Sequence, residues 1–308
     1  MNSICSVTVN SDDSGCRIDK FLATHINSFS RSQWKACIDE GNVYINSKRA
    51  NPDYKVNSND VISINSLPPI PSSTVVPQNI DINIIHESDS YIIVDKPSGI
   101  TVHPGAGCTD GTLINGLLFH YPELEHLPRA GLLHRLDKNT SGLLIVAKRQ
   151  YSYQLLLKQM LERKIEKRYW AVVWGESFNN FTIEKNIGRD QFNRTKMAIC
   201  NEGSGRYAKT ICIPHNISPC RRASLIECTL GTGRTHQIRV HLSSCNLPII
   251  GDETYSPRNL FLNSPVKRQC LHAKSVKFTC PERKCQVSYY SKLPTDIEEV
   301  LKYFSINQ

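Results

Sequence analysis

One carboxylate, Asp137, lies between the cations Arg135 and Lys138, just ahead of an apolar run at Leu143–Val146. Catalytic side chains commonly sit on loops that rigid elements hold in place, and neighbouring cations keep a carboxylate ionised for use as a nucleophile or base. The same residues also fit a surface ion pair that leads into a turn at 141–142. Residue types and spacing therefore leave a catalytic and a structural interpretation open.

The elements that would position this carboxylate are predicted mainly as strands. Short runs rich in Ile and Val begin at residue 80, and they lack the regular alternation with helices that builds a parallel sheet. Helices are predicted after Arg149, near Thr235, and at the end of the chain with Thr295 as the capping residue. We therefore expect an α+β fold. The predicted strands are Ile80–Ile85, Tyr91–Val94, Leu143–Val146, Tyr169–Trp174, Ala208–Ile213 and Leu225–Leu230.

A small separate unit is predicted ahead of these strands. Apolar residues at helical spacing indicate one helix from Ile18 and a second that Ser30 caps, and strands follow at Val43–Ile45 and Val61–Ile64. Four prolines between residues 66 and 79 indicate an extended linker. The expected division is residues 1–66 with a core at roughly 15–65, a linker at 67–79, and a main domain at 80–308.

The charge of the chain favours an anionic partner. The formal net charge is +9, and ten basic residues stand against three acidic ones between Arg129 and Arg168. Such an excess attracts nucleic acid or an anionic membrane, whereas a solvated helix face is the alternative for a charge run alone. No apolar stretch approaches the ~18 residues of a membrane span, so we expect no membrane partner.

The cysteines and histidines give no pattern typical of a metal site. The twelve cysteines are scattered and none forms a Cys-x-x-Cys pair, which indicates reduced apolar residues of a cytoplasmic protein. His236 and His241 are five residues apart, which departs from the four-residue spacing of a helical zinc pair. We expect these histidines to form hydrogen bonds and expect no metal.

The phrases around Asp137 carry a resemblance to a known family. Pro128–Lys148 resembles the signature of the RluA/RluD family of RNA pseudouridine synthases, and seven further phrases follow in the family's order. The phrases Arg17–Leu22 and Gly41–Asn46 resemble an S4 RNA-binding domain, as in the D-type branch of the family. The resemblance implies an S4-like domain followed by a catalytic domain of mixed, mainly antiparallel β-sheet flanked by helices. The seven phrases are Val94–Gly99, Val102–Gly107, Gly111–Asn115, Lys167–Val172, Gly231–His241, Ile250–Asp252 and Leu271–Ala273.

The resemblance implies roles for individual residues. Asp137 would be the essential carboxylate and Arg234 its ion-pair partner, while Tyr169 would pack on the target uracil and Arg135 would fill the gap left by the flipped nucleotide. A phosphate contact is the alternative for Arg234, and core packing is the alternative for Tyr169 and for the apolar pocket residues. The remaining substrate-binding candidates are His134, Lys138, Ile238 and Leu271 in the catalytic domain and Arg17, Lys20, Arg31, Lys35, Lys48 and Arg49 in the S4-like domain.

The implied reaction breaks the N1–C1′ bond of a uridine and rejoins the base through C5. It needs no redox change, so we expect no cofactor. Asp137 would attack C1′, add to C6 of the base or remove the 2′ proton. The expected partner is RNA, with large-subunit (23S) ribosomal RNA first, bound by a monomer. Two other functions stay open: a non-catalytic RNA-binding or assembly factor, which would need none of Asp137, Arg234 and Tyr169, and an N-glycosidase, which would release free uracil and leave an abasic site.

Overall fold

The computed structural model describes residues 4–26, 29–68, 75–105, 108, 110–193, 195–201 and 203–307. Two parts of the sequence predictions lie outside these residues, namely positions 69–74 of the expected linker and the pair Ala106 and Gly107 in one family phrase. Within the described ranges, no helix has both the length and the apolar character that crossing a membrane requires.

The described residues form two β-sheets, a two-stranded hairpin and seven α-helices. The strands are β1 (Cys5–Thr8), β2 (Val43–Ile45), β3 (Lys48–Arg49), β4 (Val61–Ile64), β5 (Asn83–Glu87), β6 (Tyr91–Lys96), β7 (Ser141–Ala147), β8 (Glu166–Trp174), β9 (Phe181–Glu184), β10 (Ile187–Arg189), β11 (Met197–Ile199), β12 (Lys209–Ile217), β13 (Ala223–Leu230), β14 (Leu271–Thr279) and β15 (Gln286–Tyr290). The α-helices are α1 (Ile18–His25), α2 (Arg31–Asp39), α3 (Leu113–His120), α4 (Gln150–Leu161), α5 (Gln237–Ser243), α6 (Arg258–Leu262) and α7 (Thr295–Tyr303), and short 3-10 helices lie at Ser11–Asp13, Pro122–His126 and Pro128–Gly131.

The N-terminal unit packs two helices on a small antiparallel sheet in the order β1-β4-β2-β3. Ser30 begins α2 with a capping box, in which its hydroxyl accepts from the backbone N–H of Gln33. Both helices turn large apolar side chains into the core, with Phe21 and Trp34 almost entirely buried. The two short helices and the strands predicted for this unit are confirmed.

The main domain is built on one nine-stranded sheet. Eight strands follow the order β5-β6-β7-β14-β8-β13-β12-β9, and β15 pairs with β14 beyond its contact with β7. All neighbours run antiparallel except β7 and β14, which run parallel with Ser141 opposite His272. The predicted mixed, mainly antiparallel sheet is confirmed. Every residue of β7 is buried, which explains why its sequence is a continuous apolar run.

The helix predictions need three corrections. The helix near Thr235 begins only at Gln237, since Thr235 and the left-handed residue His236 lie before it. Thr295 is the first residue of α7 and Pro294 is its N-cap, so the predicted Thr295 cap is wrong. Helix α3 was not predicted, although Thr112 and Asn115 form a capping box at its start.

The residues that could do chemistry gather around Asp137. The parallel strands β7 and β14 begin side by side there, and Tyr169 of β8 lies opposite Ala273 of β14, while β13 pairs with this part of β8 and ends before the turn that leads into α5. Asp137 lies four residues ahead of β7. The loop before β7, the start of β14, the first half of β8 and helix α5 therefore meet around this carboxylate.

Candidate active site

The loop that carries Asp137 follows directly after a strained turn. Arg129, Ala130 and Gly131 have φ angles of 51°, 50° and 75°, a left-handed run that side chains adopt at a cost. A Cβ on Gly131 would lie 2.0 Å from the carbonyl oxygen of Ala147, at the end of β7. Only glycine fits this close approach, so the turn packs directly against the end of β7.

Two buried cations hold the backbone just after Asp137. The carbonyl oxygen of Lys138 accepts from the Lys96 ammonium at 3.0 Å and from the backbone N–H of Gly99 at 2.9 Å. The carbonyl oxygen of Asn139 accepts from Arg268 at 3.3 Å. Burial lowers the pKa of Lys96 to about 7, although the charge of Asp137 opposes that shift. These contacts fix the position from which the carboxylate projects.

His134 fastens the loop to β7 from its other end. Its ring Nε2 accepts from the backbone N–H of Ile145 at 3.2 Å, and burial lowers its pKa to about 3. A ring nitrogen that accepts a backbone hydrogen bond cannot be protonated. His134 lines the same cleft as Asp137, but this nitrogen is committed to the fold.

The ion-pair partner of Asp137 is Arg239 in helix α5. Its Nη1 lies 3.1 Å from Oδ2 of Asp137, while its Nε and Nη2 donate at 2.7 and 2.9 Å to both oxygens of Asp252. Asp252 is completely buried and the arginine is 7% exposed in its side chain. The two carboxylates raise the pKa of Arg239 against the effect of burial. One guanidinium fork therefore orients the reactive carboxylate.

The predicted ion pair between Arg234 and Asp137 is wrong. Arg234 lies in the turn before α5, and its Nε donates to the carbonyl oxygen of Tyr207 at 3.0 Å. Arg239 lies inside the helix, where its side chain reaches Asp137. Both arginines belong to the same phrase, and sequence reasoning chose the wrong one. Asp252, the second carboxylate that pairs with Arg239, lies in the family phrase Ile250–Asp252 and could have pointed to this arginine.

His236 faces the other oxygen of Asp137. The left-handed backbone of His236, with φ 55°, brings its Nε2 to 3.8 Å from Oδ1. Its Nδ1 lies 2.7 Å from the hydroxyl of Tyr255, whose oxygen already accepts from the backbone N–H of Met197. The hydroxyl hydrogen is then directed at Nδ1, so we assign the neutral tautomer with its hydrogen on Nε2. Burial lowers the pKa of His236, with Asp137 opposing, which favours this neutral form.

Aromatic and apolar side chains close the site around the carboxylate. Tyr169, Ile238 and Leu271 all line the cleft that contains Asp137. Tyr169 is 5% exposed, and burial together with the charge of Asp137 raises the pKa of its hydroxyl. These three side chains, all predicted as site residues, place an aromatic ring and two apolar side chains on the wall of the cleft.

The cleft is large and basic. It has a volume of about 800 Å³ and includes Arg135 from the loop that carries Asp137 and Lys20 from α1 of the N-terminal unit. Arg135 and Lys138 are exposed. The other basic residues predicted in the N-terminal unit lie elsewhere. Arg17 and Arg31 pair with Asp19 at 3.0 and 2.9 Å, Arg49 donates to the carbonyl oxygen of Asp39, and Lys35 and Lys48 are exposed.

No metal-binding group of three or more His, Cys, Asp or Glu side chains is present among the residues that the structure describes. His241, predicted to form hydrogen bonds, pairs through Nδ1 with the hydroxyl of Thr210 at 2.9 Å.

Comparison with known proteins gives consistent matches. The family model for RNA pseudouridylate synthase matches residues 90–244, and the model for the S4 domain matches residues 16–62. The ribosomal large subunit pseudouridine synthase D of Neisseria meningitidis serogroup B is 40% identical over 306 residues, which cover 96% of this chain and 80% of that protein. An uncharacterized RNA pseudouridine synthase of Bacillus subtilis, YlyB, is 34% identical over 306 residues, with 98% of both chains covered. The solved structure of human RNA pseudouridylate synthase domain containing 1 shares the fold, with a TM-score of 0.57 and 23% identity over 74% of this chain and 96% of that one.

Proposed function

The chain belongs to the RNA pseudouridylate synthase family, and we propose that it converts specific uridines of large-subunit (23S) ribosomal RNA to pseudouridine. The names of several relatives support the large subunit as the substrate, and the S4 domain supports RNA binding. One observation carries the assignment of the site. The carboxylate of Asp137 is held by Arg239 in a basic cleft beside the ring of Tyr169.

The proposed reaction is an isomerisation in which one bond is exchanged for another. The N1–C1′ bond breaks, the base turns, a C5–C1′ bond forms, the C5 hydrogen leaves as a proton, and N1 takes up a proton from solvent. Asp137 is the catalytic carboxylate, and Arg239 keeps it ionised and oriented. Because this exchange requires no redox change, we propose that neither a metal nor a cofactor takes part.

The walls of the cleft receive the flipped nucleotide. Tyr169 packs on the uracil, while Ile238 and Leu271 exclude water from the base. Arg135, exposed two residues before Asp137, occupies the gap in the RNA stack that the uridine leaves. The exposed Lys138 contacts a phosphate.

The test is release of tritium from [5-³H]uridine-labelled ribosomal RNA, because exchange at C5 accompanies pseudouridine formation. We expect release with the native chain and none with Asp137→Asn, whereas Asp81→Asn, which removes an exposed carboxylate ahead of β5, retains full activity. Full activity in Asp137→Asn would overturn the assignment. Free uracil with an abasic strand would identify an N-glycosidase instead.

We further propose that the chain acts as a cytoplasmic monomer without a membrane partner, divided at 1–66, 67–79 and 80–308. The small sheet ends at Ile64 and the large sheet begins at Asn83, which supports these boundaries. Sedimentation of the purified chain at micromolar concentration tests the monomer, since a dimer would double the mass.

A further inference from the structure

Three arginines gather on the side of the cleft that faces the N-terminal unit. Arg163 follows α4, Arg206 follows the β10–β11 hairpin, and Arg234 follows β13, and all three line the cleft. We call them the arginine cluster. Burial lowers the pKa of Arg234, and the positive charges of Arg206 and Arg163 lower it further. Arg234 is half-buried, whereas Arg163 and Arg206 are exposed, and neighbouring like charges repel one another unless an anion joins them.

The contacts of the cluster leave its charge largely unmatched. Arg234 donates to the carbonyl oxygen of Tyr207, and Arg206 donates at 2.8 Å to the hydroxyl of Thr24. Both acceptors are neutral. Among the described residues, no carboxylate lies within ion-pair distance of any of the three arginines. Lys167 adds a fourth cation to the same cleft, and it is only 9% exposed.

The N-terminal unit presents one acid to this cluster. Asp13 ends the 3-10 helix Ser11–Asp13, and its Oδ2 lies 2.9 Å from Nε2 of His25. Although burial raises the pKa of Asp13, the hydrogen bond and charge of His25 and the charges of Arg234 and Arg206 lower it overall. The charges of Arg206 and Arg234 therefore act on the carboxyl of Asp13, although Asp13 pairs with His25 and not with the cluster.

The junction of the two domains has the composition of a phosphate site. Lys20, Thr24 and His25 of α1 line the cleft opposite the cluster, and the Thr24–Arg206 hydrogen bond joins the two walls. A phosphodiester accepts several guanidinium hydrogen bonds at once, which an isolated carbonyl or hydroxyl cannot do. An anion placed here would pair with three cations that have no ion-pair partner among the described residues.

We propose that Arg163, Arg206 and Arg234 bind a backbone phosphate of the RNA at the junction of the S4 domain and the catalytic domain. The proposal rests on the proposed function, since it takes RNA as the ligand. RNA whose uridine enters at Asp137 then continues between α1 and the β10–β11 hairpin. The S4 domain is thereby one wall of the binding cleft.

RNA binding tests the proposal separately from chemistry. The probe is an unmodified transcript of large-subunit ribosomal RNA, and the protein is the full chain with Asp137→Asn, so that no product forms. The dissociation constant is measured as a function of KCl concentration for the pair of changes Arg163→Gln and Arg206→Gln. The matched control is Arg221→Gln with Arg222→Gln, which removes the same charge ahead of β13, at the opposite end of that strand from the cluster.

The cluster variant should bind about tenfold more weakly at low salt, and the slope of log K against log[salt] should fall by about one, as for the loss of one phosphate contact. The control should change affinity by less than about twofold, because its charges lie outside the cleft. Both replaced side chains are exposed, so the cluster variant should keep the fold of the native chain, which urea unfolding verifies.

Equal affinities for the cluster variant and its control would overturn the proposal. Tritium release by the native chain reports on the proposed function independently. If tritium is released but the cluster variant matches its control, the phosphate site is wrong and the enzyme assignment stands. If the cluster variant behaves as expected but the native chain releases no tritium, the phosphate site stands and the enzyme assignment is wrong.

Discussion

Separate replacement of Arg239 and Arg234 by lysine distinguishes the arginine that pairs with Asp137 from the arginine that is proposed to contact a phosphate. In Arg239→Lys, a single ammonium replaces the fork that now bonds Asp252 twice and Asp137 once. The buried Asp252 retains the ammonium, because an unpaired buried carboxylate is the costlier outcome. Asp137 then loses a charge-assisted hydrogen bond worth about 1.5–3 kcal/mol. At about 1.4 kcal/mol for each factor of ten, the chemical step should slow by about 10- to 150-fold.

Arg234→Lys is the matched change, since it keeps the charge and lies in the same phrase. Arg234 makes no hydrogen bond to Asp137 that could be lost, because its Nε donates to Tyr207. The chemical step should slow by less than about threefold while RNA binding weakens. Single-turnover tritium release, with enzyme in excess over RNA, separates these effects. A larger loss of rate in Arg234→Lys than in Arg239→Lys would refute the reasoning, and urea unfolding of both variants verifies that the folded state is compared.

Three further predictions follow from the cleft and the sheet beneath it. Tyr169→Leu keeps an apolar side chain in the 5% exposed position, so the free energy of unfolding should fall by less than about 1.5 kcal/mol. Because the stacking surface is lost, kcat/KM should fall about 5- to 150-fold. A large loss of stability without loss of activity would instead favour a role of Tyr169 in core packing. Burial lowers the pKa of Lys167 to about 8, and only the charged form of this side chain attracts phosphate. RNA affinity should therefore fall by up to about tenfold per pH unit above pH 8 in the native chain, whereas the affinity of Lys167→Gln should not change in that range. A native affinity that is equally independent of pH would contradict this prediction. In Gly142→Ala, where φ is 110°, the new Cβ would lie 2.3 Å from the carbonyl oxygen of Ala273, so urea unfolding should show a loss of about 2–5 kcal/mol, whereas Gly105→Ala, which meets nothing within 4 Å, should change stability little.

The sequence predicts the reactive carboxylate but not its partner. Asp137 can be assigned because its whole phrase is characteristic. The choice between Arg234 and Arg239 depends on where α5 begins and on the left-handed backbone of His236, and neither is visible in residue types. A helix that starts two residues later than expected turns a different arginine towards the site. Geometry at a helix end therefore decides the chemistry here.

The same limit explains other differences between expectation and structure. Helix α3 has an almost unbroken apolar sequence in which six residues are buried, so it lacks the polar face from which helical period is read. The paired arginines Arg17 and Arg31 share Asp19, twelve residues from one of them, and no spacing rule links them. Eight of the fifteen strands were predicted, because their alternating or continuous apolar runs are visible in the sequence, whereas the seven others and the side-chain partners across the fold were not.

The parallel contact between β7 and β14 has a consequence for when the enzyme is complete during its synthesis. Ser141 and its partner His272 are 131 residues apart, so at about 5–20 residues per second a ribosome needs roughly 7–26 s to deliver the second after the first. The S4 sheet, which ends at Ile64, can fold well before then. A nascent chain can therefore complete its S4 sheet early, whereas the strand pair beside Asp137 forms only after β14 has been synthesised.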